Sequence, residues 1–355
     1  MHPIDCSQIK RILVTRTDRI GDLVLSTAVF PALKERYPQS YVAALVFKET
    51  EPVVRGNPWI DRVIVYDKLG CHRSWWRTVL FGLELRKDRF DVAIHLHATN
   101  RVNFISWLAR IPIRIGYQVR LGSHGRMNQL LTHVIEEKKW QGKRHEAEYN
   151  FDLLALIGVP KPDRLQLYFP LLDSDREALG RIFPEDIRSR YVVFHPSASC
   201  ISKRWAPERF GRVADQLVRE HGVLPVIIGE GRGLLDAAQM QELMTERALN
   251  LSGKLTLGML GWLLKDARLL ISNDSGPVHI ASALGTPVIS IFGRSQPGLS
   301  ATRWRPISQN SSYLQKDVGC VECLAHRCQI DFKCLKELRV EDVVEEAKRY
   351  EPFLV

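Results

Sequence analysis

The chain predicts an α/β protein of two Rossmann-like domains, and three observations lead there. Residues 267–293 read strand, polar turn, helix, strand: an apolar run over 267–271, the turn Asn273-Asp274-Ser275-Gly276-Pro277, a helix to about Leu284 stopped by Gly285, and a second apolar run over 288–292. Residues 11–37 repeat that opening, with a short strand over 11–16, the turn Thr17-Asp18-Arg19-Ile20-Gly21-Asp22, and a helix over 23–37 ended by Pro38. A chain of 355 residues is long enough for two domains, each burying its own core.

Composition narrows the class. Hydrophobic residues make up 45% and charged residues 25%, as in ordinary globular proteins. No apolar run approaches the roughly 20 residues of a membrane span, and residues 1–10 lack an apolar signal segment. The expected location is the cytoplasm, peripheral to the inner face of the inner membrane. The formal charge of +10 suits an acidic substrate or an anionic bilayer. Nucleic acid is excluded as a partner, because no zinc-finger, RRM-like or helix-turn-helix pattern occurs.

In the first domain, strands are expected over 41–47 and 62–66, with a short helix over 49–56 between them. A helix over 74–89 carries Arg73-Ser-Trp-Trp-Arg77, which could press into a bilayer interface or line an acceptor site, although core packing of one Trp is the simpler expectation. A strand over 91–96 delivers His97-Ala-Thr-Asn100-Arg101 to a loop before a helix to Ile111, and 113–117 is a fifth strand. Between Arg114 and Arg144 the cations Arg114, Arg120, Arg126, Lys138, Lys139, Lys143 and Arg144 face only Glu136 and Glu137, a candidate clamp for an anionic acceptor. A helix over 145–157 and a linker over 160–173 close this domain. Asp173-Ser-Asp175 is not read as a metal motif, because Ser174 with Glu177 forms a capping box opening a helix over 176–182.

The second domain begins with a strand over 191–195 and the hydroxyl-rich loop Pro196-Ser-Ala-Ser-Cys-Ile-Ser-Lys203-Arg204-Trp205. Lys203 can neutralise a diphosphate, and Ser197 and Ser199 can bond its oxygens. A helix over 208–220, a strand over 223–228, the turn Gly229-Glu-Gly-Arg-Gly233 and a helix over 257–264 lead back to Asp274-Ser275-Gly276. There the helix start offers free N–H groups and a positive dipole end to phosphate, and His279 lies one turn along. The cysteines Cys320, Cys323, Cys328 and Cys334 have metal-site spacing, suited to structural zinc or iron, with reduced buried thiols or disulfides formed on oxidation as the alternative. Residues 340–350 form an amphipathic helix.

The motifs Arg16-Thr17-Asp18-Arg19-Ile20-Gly21-Asp22, Lys203-Arg204-Trp205 and Asn273-Asp274-Ser275-Gly276-Pro277-Val278-His279, followed by Gly285-Thr-Pro and Phe292-Gly293, resemble the bacterial heptosyltransferases of glycosyltransferase family 9. The resemblance covers most of the chain and implies a GT-B fold, with two Rossmann-like domains facing across a cleft. It implies residues 1–170 as acceptor domain, 171–335 as nucleotide-sugar domain, and 336–355 as a terminal helix returning to the first. It further implies an ADP-heptose donor, inverting transfer and an anionic lipopolysaccharide inner-core acceptor, with no cofactor required for the chemistry.

By position, Asp22 matches the general base, Lys203 the cation facing the donor diphosphate, and Asp274, Ser275, Gly276 and His279 the donor-binding turn; Ser197 and Ser199 join the expected donor site on their own hydroxyl chemistry. Arg19, Gly21, Asn100, Arg120 and Arg126 are the expected acceptor contacts. Some relatives that heptosylate proteins bind iron with clustered cysteines, which raises protein as an alternative acceptor. A sugar-nucleotide 2-epimerase on the same fold is a further alternative, as is a non-catalytic nucleotide-sugar binding protein that would not need Asp22.

Overall fold

The computed structural model describes residues 4–118, 127–183, 190–320, 322–323 and 325–354, so the expected acceptor residues Arg120 and Arg126 lie outside the described residues. The chain divides into two units, Met1–Lys139 with Glu146–Pro170, and Trp140–His145 with Leu171–Val355.

The first unit is built on strands β1 (Arg11–Arg16), β2 (Tyr41–Phe47), β3 (Arg62–Tyr66), β4 (Val92–His95), β5 (Ile113–Gln118) and β6 (His133–Glu136). They form one six-stranded sheet in the order β3-β2-β1-β4-β5-β6, every pair parallel. The helices are α1 (Ile20–Ser26), α2 (Val29–Arg36), α3 (Trp75–Leu85), α4 (Asn100–Leu108) and α5 (Glu146–Ala155). Central strands β1, β2 and β4 are apolar on both faces because helices cover both, and from Ile12, Val42 and Val92 onward they are buried.

The second unit repeats the plan with β7 (Tyr191–His195), β8 (Leu224–Ile227), β9 (Leu249–Asn250), β10 (Leu269–Asn273), β11 (Val288–Phe292) and β12 (Ser311–Gln315), again parallel, ordered β12-β11-β10-β7-β8-β9. Its helices are α6 (Asp173–Gly180), α7 (Pro207–His221), α8 (Gly233–Glu242), α9 (Leu257–Lys265), α10 (Gly276–Leu284), α11 (Ala301–Trp304), α12 (Lys333–Glu337), α13 (Val340–Lys348) and α14 (Glu351–Leu354). In each sheet the strand order reverses beside the first strand, between β1 and β4 and between β7 and β10. That reversal opens a crevice at the strands' carboxyl ends, where ligands of open α/β sheets bind.

Several elements depart from the sequence expectation. The helix expected over 23–37 is two, broken at Thr27 and Ala28. Pro31 lacks the N–H that would bond Thr27, and its ring crowds that carbonyl, while Thr27 Oγ1 turns back to Val24 O at 2.6 Å. The capping box is absent: α6 begins at Asp173, its N-cap is Leu172 with no side-chain cap, and the Leu172 carbonyl takes the N–H groups of Asp175 and Arg176. Strands β6 and β12 were not expected. The segment expected to return to the first domain instead packs in the second unit's core, where Val343, Val344, Ala347 and Leu354 join Val213, Leu217 and Ile289. Its apolar stripe, Val343, Val344 and Ala347, is buried, and the helix packs against α7.

Candidate active site

In the first unit, the carboxyl end of β1 places Arg16 in the interior, 3% exposed. Its guanidinium is ringed by three carboxylates. Nε bonds Asp18 Oδ1 at 2.8 Å, Nη2 bonds Asp22 Oδ1 at 2.7 Å, and Nη1 reaches Glu146 Oε1 at 3.3 Å. Glu146, fully buried at the start of α5, also takes Lys139 Nζ at 2.9 Å. Burial works against the Arg16 charge, but the Asp18, Asp22 and Glu146 carboxylates outweigh it and hold the guanidinium protonated.

Asp22 sits in the first turn of α1, in the amino-terminal dipole field, and does not cap the helix, whose N-cap is Arg19. Burial raises its pKa and Arg16 opposes this; with Asp18 and Glu146 adding repulsion, the carboxyl is pushed up to about 6. Only one Asp22 oxygen is tied to Arg16, so this carboxylate is held in place, ionised above about pH 6, and suited to accept a proton. Asp18 Oδ2 lies 3.7 Å from His97 Nδ1. Of the expected acceptor residues, Arg19 is exposed beside this cluster and Gly21 lies within α1. Asn100 opens α4 and accepts from Met127 N at 3.1 Å, so its side chain is engaged in holding a loop.

In the second unit, Asp274 follows β10 and is clamped by two cations. Lys203 Nζ lies 2.7 Å and Arg294 Nη2 3.3 Å from the same Oδ2. Asn273 joins the two strand ends beneath them: its Oδ1 accepts from Trp205 N at 3.0 Å and its Nδ2 donates to Pro196 O at 2.7 Å. Trp205 is fully buried and donates Nε1–H to Leu338 O at 3.0 Å, fixing the loop that carries Lys203.

Ser275 is the N-cap of α10, yet no side chain caps the helix. Its hydroxyl instead meets His195 Nδ1 at 2.9 Å and Ser272 Oγ at 3.1 Å. With Gly276 and Pro277 opening α10, the backbone is bare at the positive end of the helix dipole. His279, one turn along, is buried, and its Nδ1 has no hydrogen-bond partner among the described residues. A buried polar atom left without a partner is a candidate contact for a polar ligand atom. Burial lowers both His195 and His279 to about 4, so both are neutral near pH 7.

Ser197 is buried and donates to Gly233 O at 3.2 Å, pinning the glycine turn, where a Cβ at Gly233 would collide with the Ser197 hydroxyl. Ser199 is exposed. Arg294 was not anticipated; it follows β11, the strand paired with β10, so a cation just past Phe292-Gly293 is the signal that could have found it. Glu146 was missed because only folding brings it, 130 residues away in sequence, to Arg16.

The four cysteines of the 320–334 segment line one cavity of about 260 Å³ together with Gly293 and Arg294. Cys334 Sγ donates to Gly293 O at 2.8 Å, and Cys328 Sγ accepts from Phe332 N at 3.2 Å. Among the described residues no three Cys, His, Asp or Glu side chains are grouped as metal ligands.

A family model described as glycosyltransferase family 9 (heptosyltransferase) matches residues 79–333. The chain belongs to this family. As a family 9 glycosyltransferase it has the GT-B fold, two Rossmann-like units each on a parallel six-stranded sheet. It is similar to lipopolysaccharide heptosyltransferase 3 of Escherichia coli K12, 28% identical over 94% of this chain and 95% of that one. Among solved structures it resembles a family 9 glycosyltransferase from Veillonella parvula, with a TM-score of 0.82 and 25% identity, covering 96% of this chain and 97% of that one. It also shares the fold of the E. coli ADP-heptose lipopolysaccharide heptosyltransferase II, with a TM-score of 0.78 and 21% identity over 96% and 98% of the two chains.

Proposed function

We propose that this family 9 enzyme transfers heptose from ADP-heptose to a sugar of the lipopolysaccharide inner core, with inversion and with Asp22 as general base. The observation that carries the reading is the amino end of α10 without a side-chain cap, beside Lys203, Arg294 and a His279 Nδ1 unpartnered among the described residues. A diphosphate suits that place: it would accept from the helix N–H groups and draw Lys203 and Arg294 partly off Asp274. The E. coli relatives named for heptose transfer to lipopolysaccharide support the donor and acceptor.

The acceptor hydroxyl oxygen forms a bond to the anomeric carbon as the bond from that carbon to the β-phosphate oxygen breaks. The hydroxyl proton passes to Asp22, and the leaving electron pair stays on ADP, where the cations and helix end stabilise it. With positive charge supplied this way, the reading assigns no metal to the chemistry. Arg16 and Glu146 are positioning residues: Arg16 holds one Asp22 oxygen while the other faces the proton, and Glu146 anchors Arg16.

The test is incubation with ADP-heptose and, in parallel, other nucleotide sugars, with inner-core saccharide, with a peptide, or with no acceptor. ADP release and a product one heptose heavier, only with ADP-heptose and the saccharide, are expected. Transfer from another nucleotide sugar overturns the donor assignment; peptide product, or a changed free nucleotide sugar without acceptor, overturns the acceptor assignment.

We also propose a structural zinc or iron in the cysteine cavity. Four thiols around one space have the right chemistry, and loading would draw their sulfurs together as thiolates, releasing the Cys334 bond to Gly293. Elemental analysis of anaerobically purified protein should find about one metal per chain; near-zero metal with these thiols all titratable refutes it.

A further inference from the structure

Helix α3 is apolar on two opposite faces. Thr78, Gly82 and Leu85 face inward, and Gly82 lets α4 approach closely, since a Cβ there would meet Leu108 Cβ at 2.9 Å. Trp76, Leu80 and Leu83 recur at helical spacing on the other side and are 60%, 55% and 45% exposed. Trp75 and Trp107, each 47% exposed, extend this surface onto α4 through Phe104: Trp75 meets its ring edge-on at 5.7 Å, and Trp107 stacks on it at 5.8 Å. The expectation that one of the paired tryptophans lies in the core is therefore not met. Exposed apolar residues are ordinary when scattered, but five gathered on two helices packed against each other call for a partner.

The surrounding charge identifies that partner. Arg77 lies over the Trp76 ring at 5.0 Å, and Arg101 over Trp75 at 5.1 Å. Arg73 and Arg77 flank the start of α3, Arg86 and Lys87 its end, and among the described residues no carboxylate pairs with any of these four. Glu84 is the sole acid within α3. A second copy docked symmetrically would set these unneutralised cations against themselves. An anionic bilayer satisfies both features: indole rings settle at headgroup depth, leucines reach the acyl boundary, and the cations meet lipid phosphates.

We infer that the α3–α4 face docks this enzyme on an anionic phospholipid bilayer. No helix among the described residues is long and apolar enough to cross a membrane, so the contact is one of surface docking. The inference does not depend on the transfer reading, since it rests on aromatic content and charge alone.

The test is co-sedimentation with vesicles of phosphatidylethanolamine and phosphatidylglycerol, alongside vesicles of phosphatidylcholine. The native chain should bind the anionic vesicles and be released as salt rises, with little binding to the neutral ones. The triple variant Trp76→Ser, Leu80→Ser, Leu83→Ser should lose tenfold or more in binding with an unchanged circular dichroism spectrum. Arg77→Ala with Lys87→Ala should remove much of the salt-dependent part. Leu235→Ser, at a residue 77% exposed in the second unit, should bind as the native chain does. Failure of the native chain to bind anionic vesicles, or undiminished binding by the triple variant, overturns the inference. So does a dimer, seen by light scattering, that the triple variant dissociates while vesicle binding is absent.

Discussion

The two units share one strand order and one kind of crevice, but they fill it with inverted electrostatics. At the end of β1 the Arg16 guanidinium is ringed by three carboxylates, one of which, Glu146, also binds Lys139. At the end of β10 a single carboxylate, Asp274, is clamped by two cations. In the first arrangement burial, with added repulsion from Asp18 and Glu146, pushes Asp22 up to about 6 against the pull of Arg16. The second leaves positive charge over, beside a bare helix end, and its histidines His195 and His279 stay neutral. The same scaffold thus yields a proton acceptor in one unit, through a buried carboxyl among like charges, and an anion receptor in the other, through surplus positive charge.

The sharpest way to break this contrast is to neutralise the base. Asp22→Asn should lower kcat by about 10²–10⁴-fold, the usual contribution of a positioned base, measured as ADP release with acceptor at saturation. Turnover near native would remove Asp22 from the mechanism. The next effect belongs to the other unit: Lys203→Ala or Arg294→Ala should weaken ADP-heptose binding by about ten- to a hundredfold, because a charge-assisted bond is worth about 1.5–3 kcal/mol. Calorimetric affinities unchanged in both variants would place the diphosphate elsewhere.

A smaller effect has a sign fixed by the raised Asp22 value. Its folded pKa of about 6 lies above the ordinary 3.8, so the fold prefers the neutral form and ionisation subtracts stability as pH rises from about 4 to above 6. Asp22→Asn should therefore raise Tm at pH 8, by at most about 3 kcal/mol of stability, and the gain should fade towards pH 4. A lower Tm at pH 8 would mean that the carboxylate is a net structural asset. The smallest effect sharpens the comparison: kcat should fall below about pH 6, while ADP-heptose affinity stays flat from pH 5.5 to 8, since His195 and His279 do not charge there. Glu146→Gln removes a charge that raises Asp22, so it should move that acidic limb to lower pH.

Much of this was legible in the sequence because a doubly wound sheet puts its chemistry at strand ends, and apolar runs show where strands end. Asp22, Asp274 and His279 each stand just past such a run or in the helix turn that follows, and Lys203 ends the loop after one. What escaped detection lacked that marker. Strand β6 is only partly buried along its length, so its residues show neither an apolar run nor a clean alternation. Strand β12 is similarly half-buried at the sheet edge. Glu146 looks like an ordinary helix-start acid, and only its tertiary neighbours make it a buried partner of Arg16 and Lys139. Ser197 has the right chemistry for phosphate, yet its hydroxyl is spent on Gly233, a contact that no local pattern announces.

The central claim is that the base and the anion receptor belong to different units and act on different substrates. Titration of ADP-heptose into Asp22→Asn by calorimetry tests it most directly. The account predicts a donor Kd within about twofold of native in a variant that no longer transfers, since Asp22 is assigned to the acceptor proton alone. A donor affinity lost along with turnover would contradict it, by showing that Asp22 helps to hold the nucleotide sugar.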